Sequence, residues 1–408
     1  MKRMHLQIVL AAAISLIGCT AFAQNAVKFF SWYGTETQTF DDTFLQVVKK
    51  ALPKTKVEVV PVVWDQMHAQ LQALIAGNSM PDLLDFKGQD IAKYAPNGNL
   101  LDLTGQAFLD KVPASARENL KVNGKEYGVP YSALFQGVMY NRSVFKKYNL
   151  KVPATYAELM AVTKELKAKG VTPFATHFRD NWNIGNITMQ FAMSEVFNDS
   201  PSWGDDLRAG KTSFEKSAGY REVFTHVKDL YDNTWKDTFS VDMNEACKRF
   251  VAGEAAMYPT GTWTNTNLSM DPSFDWGVFP FPGKKAGAKL IFEPNHTWAI
   301  SAKTKDPKTA MKILETVLES KELAKHLVDE ANTYSLLSGI VATKNYPVNA
   351  DIEAYKTKNQ IVNVSIGNNQ IPWAYQEEYS RYIAEWLLGT KTLDQALQAA
   401  TLYKDKLK

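Results

Sequence analysis

Three extended runs, VKFFSW at residues 27–32, KVEVVPVV at 56–63 and PDLLDF at 81–86, alternate with two helical ones, DDTFLQVVKKAL at 41–52 and QMHAQLQALIA at 66–76. The extended runs are rich in β-branched, aromatic and leucine side chains, as strands are. In the helical runs Phe44, Val47, Val48 and Leu52, then Met67, Leu71, Leu74 and Ile75, recur at the spacing of one helix face. This alternation predicts a parallel sheet covered by helices, so the fold class is α/β.

Further along, Gln136 to Tyr140 reads as a strand. Thr155 to Lys169 reads as a helix with Thr155 as N-cap and Glu158 completing a capping box, and Gly170 ends it. Asp306 opens another helix, with Pro307 in its first turn and Ala310, Ile313, Leu314, Val317 and Leu318 on its apolar side. Thr392 to Leu402 gives a last amphipathic helix. Gly253 suits the positive φ of a helix stop, and the neighbouring Glu254 reads as a local cap or pair. There is no internal repeat and no low-complexity segment, so the chain crosses between its parts by short ordered segments.

The N-terminus carries an export signal. Lys2 and Arg3 precede an apolar run from Leu6 to Ile17, interrupted by Gln7 and Ser15, and Ala21-Phe22-Ala23 ends it with small residues. The run is shorter than the ~20 residues that span a bilayer. Residues 1–23 are therefore expected to be a signal peptide cleaved after Ala23, leaving a periplasmic product. Leu16-Ile17-Gly18-Cys19 also fits a lipoprotein cleavage box, so a form anchored to the membrane through Cys19 stays open as the alternative. Only Thr20 to Ala26 would then serve as tether.

Removing residues 1–23 takes away Lys2 and Arg3 and no acid, so the formal charge falls from +3 to +1. A near-neutral chain does not point to nucleic acid. Cys247 is then the only thiol left, so the core rests on packing and not on disulfides.

Four segments together resemble the bacterial family of extracellular solute-binding proteins, whose best-known relatives bind maltose and other sugars. They are Pro81-Asp82-Leu83 followed by Tyr94, Gly98-Asn99-Leu100 and Leu101-Asp102-Leu103-Thr104; Tyr127-Gly128-Val129-Pro130 with Tyr140-Asn141-Arg142, Phe145 and Pro153 to Leu159; Phe250 to Met257 with Gly261-Thr262-Trp263; and Trp298-Ala299-Ile300-Ser301 with Asp306-Pro307 and Ala310. The resemblance covers nearly the whole mature chain. It implies a two-lobed periplasmic-binding-protein fold of the maltose-binding type (type II), with three interlobe crossings and a ligand cleft that closes by a hinge. By that analogy one lobe holds 26–131 plus 297–337 and the other 132–296 plus 338–408. It also implies a membrane permease of an ABC importer as partner, and a monomer.

A sugar presents a C–H face to aromatic rings and a hydroxyl rim to planar polar groups. Loops that mix the two are the candidates. Trp32 ends the first strand, where open α/β sheets hold ligands. Lys87 and Asp90 leave the third. His177, Asp180 and Trp182 form the densest mixture, and Trp263 follows a strand at 255–258. Asn295 and His296 sit at an expected crossing, and Tyr334 is expected to reach the cleft from the first lobe. Trp373 follows a polar stretch. In the maltose-binding relatives, aromatic residues in the segments corresponding to Trp182, Trp263 and Trp373 face the sugar. Tyr131 and Phe135 are candidates for the hinge or the cleft border. Trp203, Trp235, Trp276, Trp298 and Trp386 read as packing residues. His177 and His296 lack the close paired spacing of a zinc site, so no metal and no cofactor is expected.

These residues lead to capture of a mono- or oligosaccharide without catalysis. A glycoside-processing enzyme would need two carboxylates flanking a bond, and no motif pairs them. The same fold taking a polyamine or a phosphorylated polyol is the other open reading.

Overall fold

The computed structural model describes residues 26–32, 38–330, 333–337, 339–340, 344–364 and 373–404. The expected signal segment with Cys19 and Ala23 lies outside the described residues, as does the side chain of Trp373. The described strands are β1 Val27–Ser31, β2 Val57–Pro61, β3 Leu83–Phe86, β4 Gly128–Pro130, β5 Ser132–Asn141, β6 Thr172–Phe174, β7 Ala255–Gly261, β8 Trp276–Phe279, β9 Leu290–Pro294, β10 Thr297–Ile300, β11 Tyr334–Ser335 and β12 Ile361–Asn363.

They form two sheets. The first has the order β2-β1-β3-β10-β4. Helices Gln38–Ala51 and Met67–Ala76 make the return connections, so β1 runs parallel to β2 and β3. These three strands make the expected parallel sheet; in the second sheet only the outer pairs β9 with β12 and β7 with β6 are parallel among the described strands. β10 enters from the other sheet and lies antiparallel to both β3 and β4.

The second sheet is built on β5. β9 takes Ala133–Gln136 and β8 takes Val138–Asn141 along one edge, while β7 takes Gln136–Tyr140 and β11 takes Ser132–Ala133 along the other. All four are antiparallel to β5. The sequence pattern shows only the second half of this strand, because Ser132 to Phe135 is an apolar run without alternation. Both faces of β5 are covered. Val138 points into a core with Phe174, Ile187, Phe191 and Phe224, and Met139 into one with Phe250, Tyr258 and Trp276. A third core lies about the first sheet and includes Phe29, Leu84, Trp298 and Leu314.

The chain leaves the first sheet at Tyr131 and returns to it at Asn295-His296. These two passages are bonded to each other: Tyr131 N–H donates to the His296 carbonyl (2.8 Å) and Asn295 N–H to that of Ser132 (2.8 Å). Leu336 N–H adds a bond to the Tyr131 carbonyl (3.2 Å), and Leu336, Leu337 and Ile340 pack on the first core. Between these contacts, Tyr334 pairs with Ala133 of the second sheet, so this segment touches both sheets.

The expected caps are present. The Thr155 and Glu158 box, Asp306 accepting from Thr309 N–H (3.0 Å), and the Thr392 and Gln395 box start their helices, and Gly253 has φ 78°. Where β8 and β9 meet β5, a Cβ on Gly137 would stand 2.6 Å from the Phe279 carbonyl oxygen and 2.9 Å from the Leu290 and Val278 side chains. Gly137→Ala should therefore lower stability by about 1–3 kcal/mol. The drop should appear as a lower urea midpoint with an unchanged m-value, and an unmoved midpoint would disprove the close approach.

Candidate functional site

The carboxyl ends of β1, β2 and β3 lie side by side and carry Trp32, Trp64 and Lys87. Trp32 stacks on His296 (5.0 Å, 3°) and meets Trp64 edge-on (5.1 Å, 63°). Lys87 Nζ stands 4.8 Å over the Trp64 ring. His296 shares a 2.8 Å hydrogen bond with Asp85, whose carboxyl burial pushes upward. Beside them the Ser31 hydroxyl donates to Asp41 (2.9 Å). Burial, aided by the nearby Asp85 and Asp42 charges, pushes Asp41 up to about 6 against that bond.

Asp90 turns back on the loop and accepts Lys87 N–H (3.1 Å). Its other oxygen lies 3.4 Å from His68 Nε2, and His68 Nδ1 shares a hydrogen bond with the Tyr94 hydroxyl (2.9 Å). Burial, with Lys93 adding to it, pulls His68 down to about 3, so the imidazole beside Asp90 is neutral and the contact is no ion pair.

A second aromatic set stands on the second sheet. Trp182 opens the helix Trp182–Ala192, and Trp263 follows the end of β7; their rings are 6.0 Å apart at 71°, and both are half-buried. Gly261 permits this arrangement, because a Cβ there would lie 2.1 Å from the Trp263 ring. His177 meets Trp182 edge-on (4.9 Å) and bonds the Tyr258 hydroxyl (2.9 Å), and burial, opposed by Asp242, pulls it down to about 3. Asp180 accepts Met243 N–H (2.8 Å).

A chain of buried polar groups joins the two sets. Lys87 Nζ is 3.3 Å from Glu293 Oε1, and Gln136 Nε2 donates to Glu293 Oε2. Asn186 Nδ2 donates to Gln136 Oε1 (2.8 Å), and Gln190 Nε2 donates to Asn186 Oδ1 (2.7 Å). Asn186 and Gln190 are one turn apart on the helix that starts at Trp182. The loop after β3 touches the end of β9 so closely that a Cβ on Gly88 would stand 2.9 Å from both Pro294 and Leu120.

Of the expected residues, Trp32, Lys87 and Asp90 gather at the first sheet and His177, Asp180, Trp182 and Trp263 at the second. Asn295 lies buried in the passage between them. Tyr334 donates its hydroxyl to Asn349 (2.5 Å) and packs its ring edge-on against Phe135 (4.9 Å). Trp373 begins the helix Trp373–Leu387. Sequence reading missed Trp64, His68, Gln136, Asn186, Gln190 and Glu293. Trp64 follows a strand as Trp32 does, a signal that was there to use. Gln136 and Glu293 are single polar residues within apolar strands. Trp203, Trp276 and Trp298 are buried packing residues as expected, and Trp235 and Trp386 pack partly buried against the cores.

His177 Nε2, Asn183 Nδ2, Gln190 Oε1, Trp263 Nε1 and Asn295 Oδ1 are buried without a protein partner among the described residues. A separate cavity of about 380 Å³, between Phe274, Trp276 and Tyr346-Pro347, is lined by none of the expected ligand residues. Cys247 is buried, which pushes its thiol up to about 12 and leaves it unreactive. Among the described residues no cluster of three His, Cys, Asp or Glu is placed to hold a metal, and no helix is long and apolar enough to cross a membrane.

Residues 34–324 match the family described as bacterial extracellular solute-binding protein. In sequence the chain is similar to the multiple sugar-binding protein of Streptococcus mutans, 28% identical over 327 residues that cover 78% of this chain and 77% of that one. In structure it is similar to the solute-binding protein RafE in complex with raffinose (TM-score 0.77, 22% identity, 94% of this chain and 99% of that one). It is also similar to a chitin oligosaccharide binding protein (TM-score 0.80, 19% identity, 93% and 98%). At these identities the structural likeness shows the two-sheet solute-binding fold.

The elevated Asp41 carboxyl gives a pH signature. Because its folded value of about 6 exceeds the ordinary aspartate value of 3.8, the folded state takes up a proton between these values and gains stability as pH falls through them. Asp41→Asn lacks that gain. The stability of the wild type relative to the variant should rise from pH 7 to pH 4 in urea titrations, and a flat difference would show that Asp41 titrates normally.

Proposed function

The chain belongs to the family of bacterial extracellular solute-binding proteins, and on that premise we propose that it captures a mono- or oligosaccharide by hinge closure and hands it to the permease of an ABC importer. The observation that carries this reading is the pairing of two aromatic sets, Trp32 with Trp64 and Trp182 with Trp263, on separate sheets joined by one polar chain. Ring faces suit the C–H faces of a sugar. Asn183, Gln190 and Asn295, with polar atoms that the protein leaves unused, suit its hydroxyls. The multiple sugar-binding relative supports the same ligand class.

The lobes are assigned as residues 26–131 plus 297–337 and 132–296 plus 338–408, with the third passage beside Leu336. The hinge is the bonded pair of passages at Tyr131 and His296. Closure is driven by the extra contacts the ligand makes in the closed form. The protein works as a monomer and as a binder, not an enzyme. The acids near the rings support this: Asp90, Asp180 and Glu293 already engage Lys87, Met243 and Gln136.

The mature protein is free in the periplasm after cleavage behind Ala23. Mass spectrometry should find Gln24 at its N-terminus, and a lipid on Cys19 would replace this with the anchored form. In a thermal-shift screen against neutral sugars, a ligand should raise the melting temperature and compact the protein in small-angle scattering. Trp263→Ala should weaken binding about tenfold or more while leaving the ligand-free melting temperature nearly unchanged. A retained shift would remove Trp263 from the site, and binding without compaction would refute closure.

A further inference from the structure

We infer that Glu293 sets the charge preference of the cleft, cancelling the positive charge of Lys87 so that uncharged carbohydrate is taken in preference to uronate-bearing carbohydrate. The assignment rests on the sugar-binding reading above and adds which class of sugar the site accepts. Lys87 Nζ lies over the Trp64 ring, at the end of the cleft where Trp32 and Trp64 meet. Its side chain is 13% exposed, so its charge is only partly screened by water, and it would draw a carboxylate of a ligand resting on those rings. Glu293 stands 3.3 Å away with a fully buried side chain.

Glu293 is also fixed from the other side, because Gln136 donates to its second oxygen and Asn186 in turn holds Gln136. The carboxylate therefore cannot swing away when a ligand carboxylate approaches Lys87. An acidic sugar would meet a paired cation and, behind it, a buried negative charge, while a neutral sugar meets no such penalty. The other ionisable groups nearby reinforce the preference. Asp90 accepts the Lys87 N–H on the same loop and brings no positive charge, and burial keeps His68 and His177 neutral. Glu293→Gln keeps the shape and the length of the side chain, and its amide oxygen can still accept from Gln136 Nε2, but the counter-charge is lost.

The test is calorimetric titration of the full mature protein and of Glu293→Gln with raffinose and maltotriose as neutral probes and trigalacturonate as the acidic one. The wild type should bind a neutral probe and discriminate against trigalacturonate. Glu293→Gln should shift the ratio of the two affinities toward trigalacturonate by about tenfold or more, and the shift should shrink as salt is raised. A folded variant with an unchanged ratio overturns the assignment, as does a wild type that prefers trigalacturonate, which would leave the sugar reading intact. A wild type that binds no carbohydrate in a broader panel defeats the sugar reading itself and the assignment with it. Should Glu293→Gln fail to fold, the charge-free pair Lys87→Met with Glu293→Gln takes its place. That double variant should still exclude trigalacturonate, and binding of it there would show that Lys87 and Glu293 do not govern the choice.

Discussion

The side chain of Gln136 is fully buried in the middle of the longest strand, and an amide in that position is costly unless both of its ends are bonded. Its carbonyl takes a hydrogen from Asn186 and its amino group gives one to Glu293. Those partners belong to a helix and to a neighbouring strand. The helix Trp182–Ala192 and β9 are thereby fixed against β5 by directed bonds, in addition to the non-directional packing of the apolar cores. Glu293 is buried in turn, and Lys87 from the first sheet stands 3.3 Å from its other oxygen. Satisfying one amide thus draws in groups from both sheets.

The aromatic sets follow from the same constraint. Gln136 is paired in register with Gly261, so Trp263 stands two residues beyond that pair and folds back over a position where no Cβ fits. Asn186 fixes the first turns of the helix that Trp182 opens. On the other side, Lys87 reaches Glu293 while lying across Trp64. Ring spacing across the site is consequently tied to the polar chain beneath it. The close approach of Gly88 to Pro294 and the bonded passages at Tyr131 and His296 lie at the same level. A closing motion of the proposed kind turns about this level, where displacement is smallest, and moves the rings farther out, where it is larger.

Much of this was legible in the sequence where the determinants are local. The first three strands, their helices, and the caps at Thr155, Asp306 and Thr392 depend on residues close together in the chain, and they fall where the pattern puts them. Lys87, Asp90, His177, Trp182 and Trp263 stand out as candidates because aromatic and polar groups mixed in one loop are a local signal too. The antiparallel entry of β10 and the gathering of four strands on β5 depend on partners more than a hundred residues apart, and no local period encodes them. Gln136 and Glu293 escaped for the same reason. Each is one polar residue in an apolar strand, and its meaning lies in a partner 157 positions away. The pairing of Tyr334 with Ala133 was likewise invisible, because a two-residue strand carries no pattern of its own.

Burial also limits what chemistry the site can hold. His68 and His177 stay neutral because removing a charged imidazole from water costs more than their neighbours return. The charges that remain under the rings, on Lys87 and Glu293, are retained as a pair. An enclosed cleft between ring faces would dehydrate any group left unmatched inside it, so it tolerates charge only when the compensation is built in. What such a cleft then offers to a solute is flat apolar surface and directional neutral hydrogen bonds. Those are the two features that a hydroxylated ring presents at once, and they distinguish this arrangement from an acid-lined cleft for amines or an arginine-rich one for phosphates.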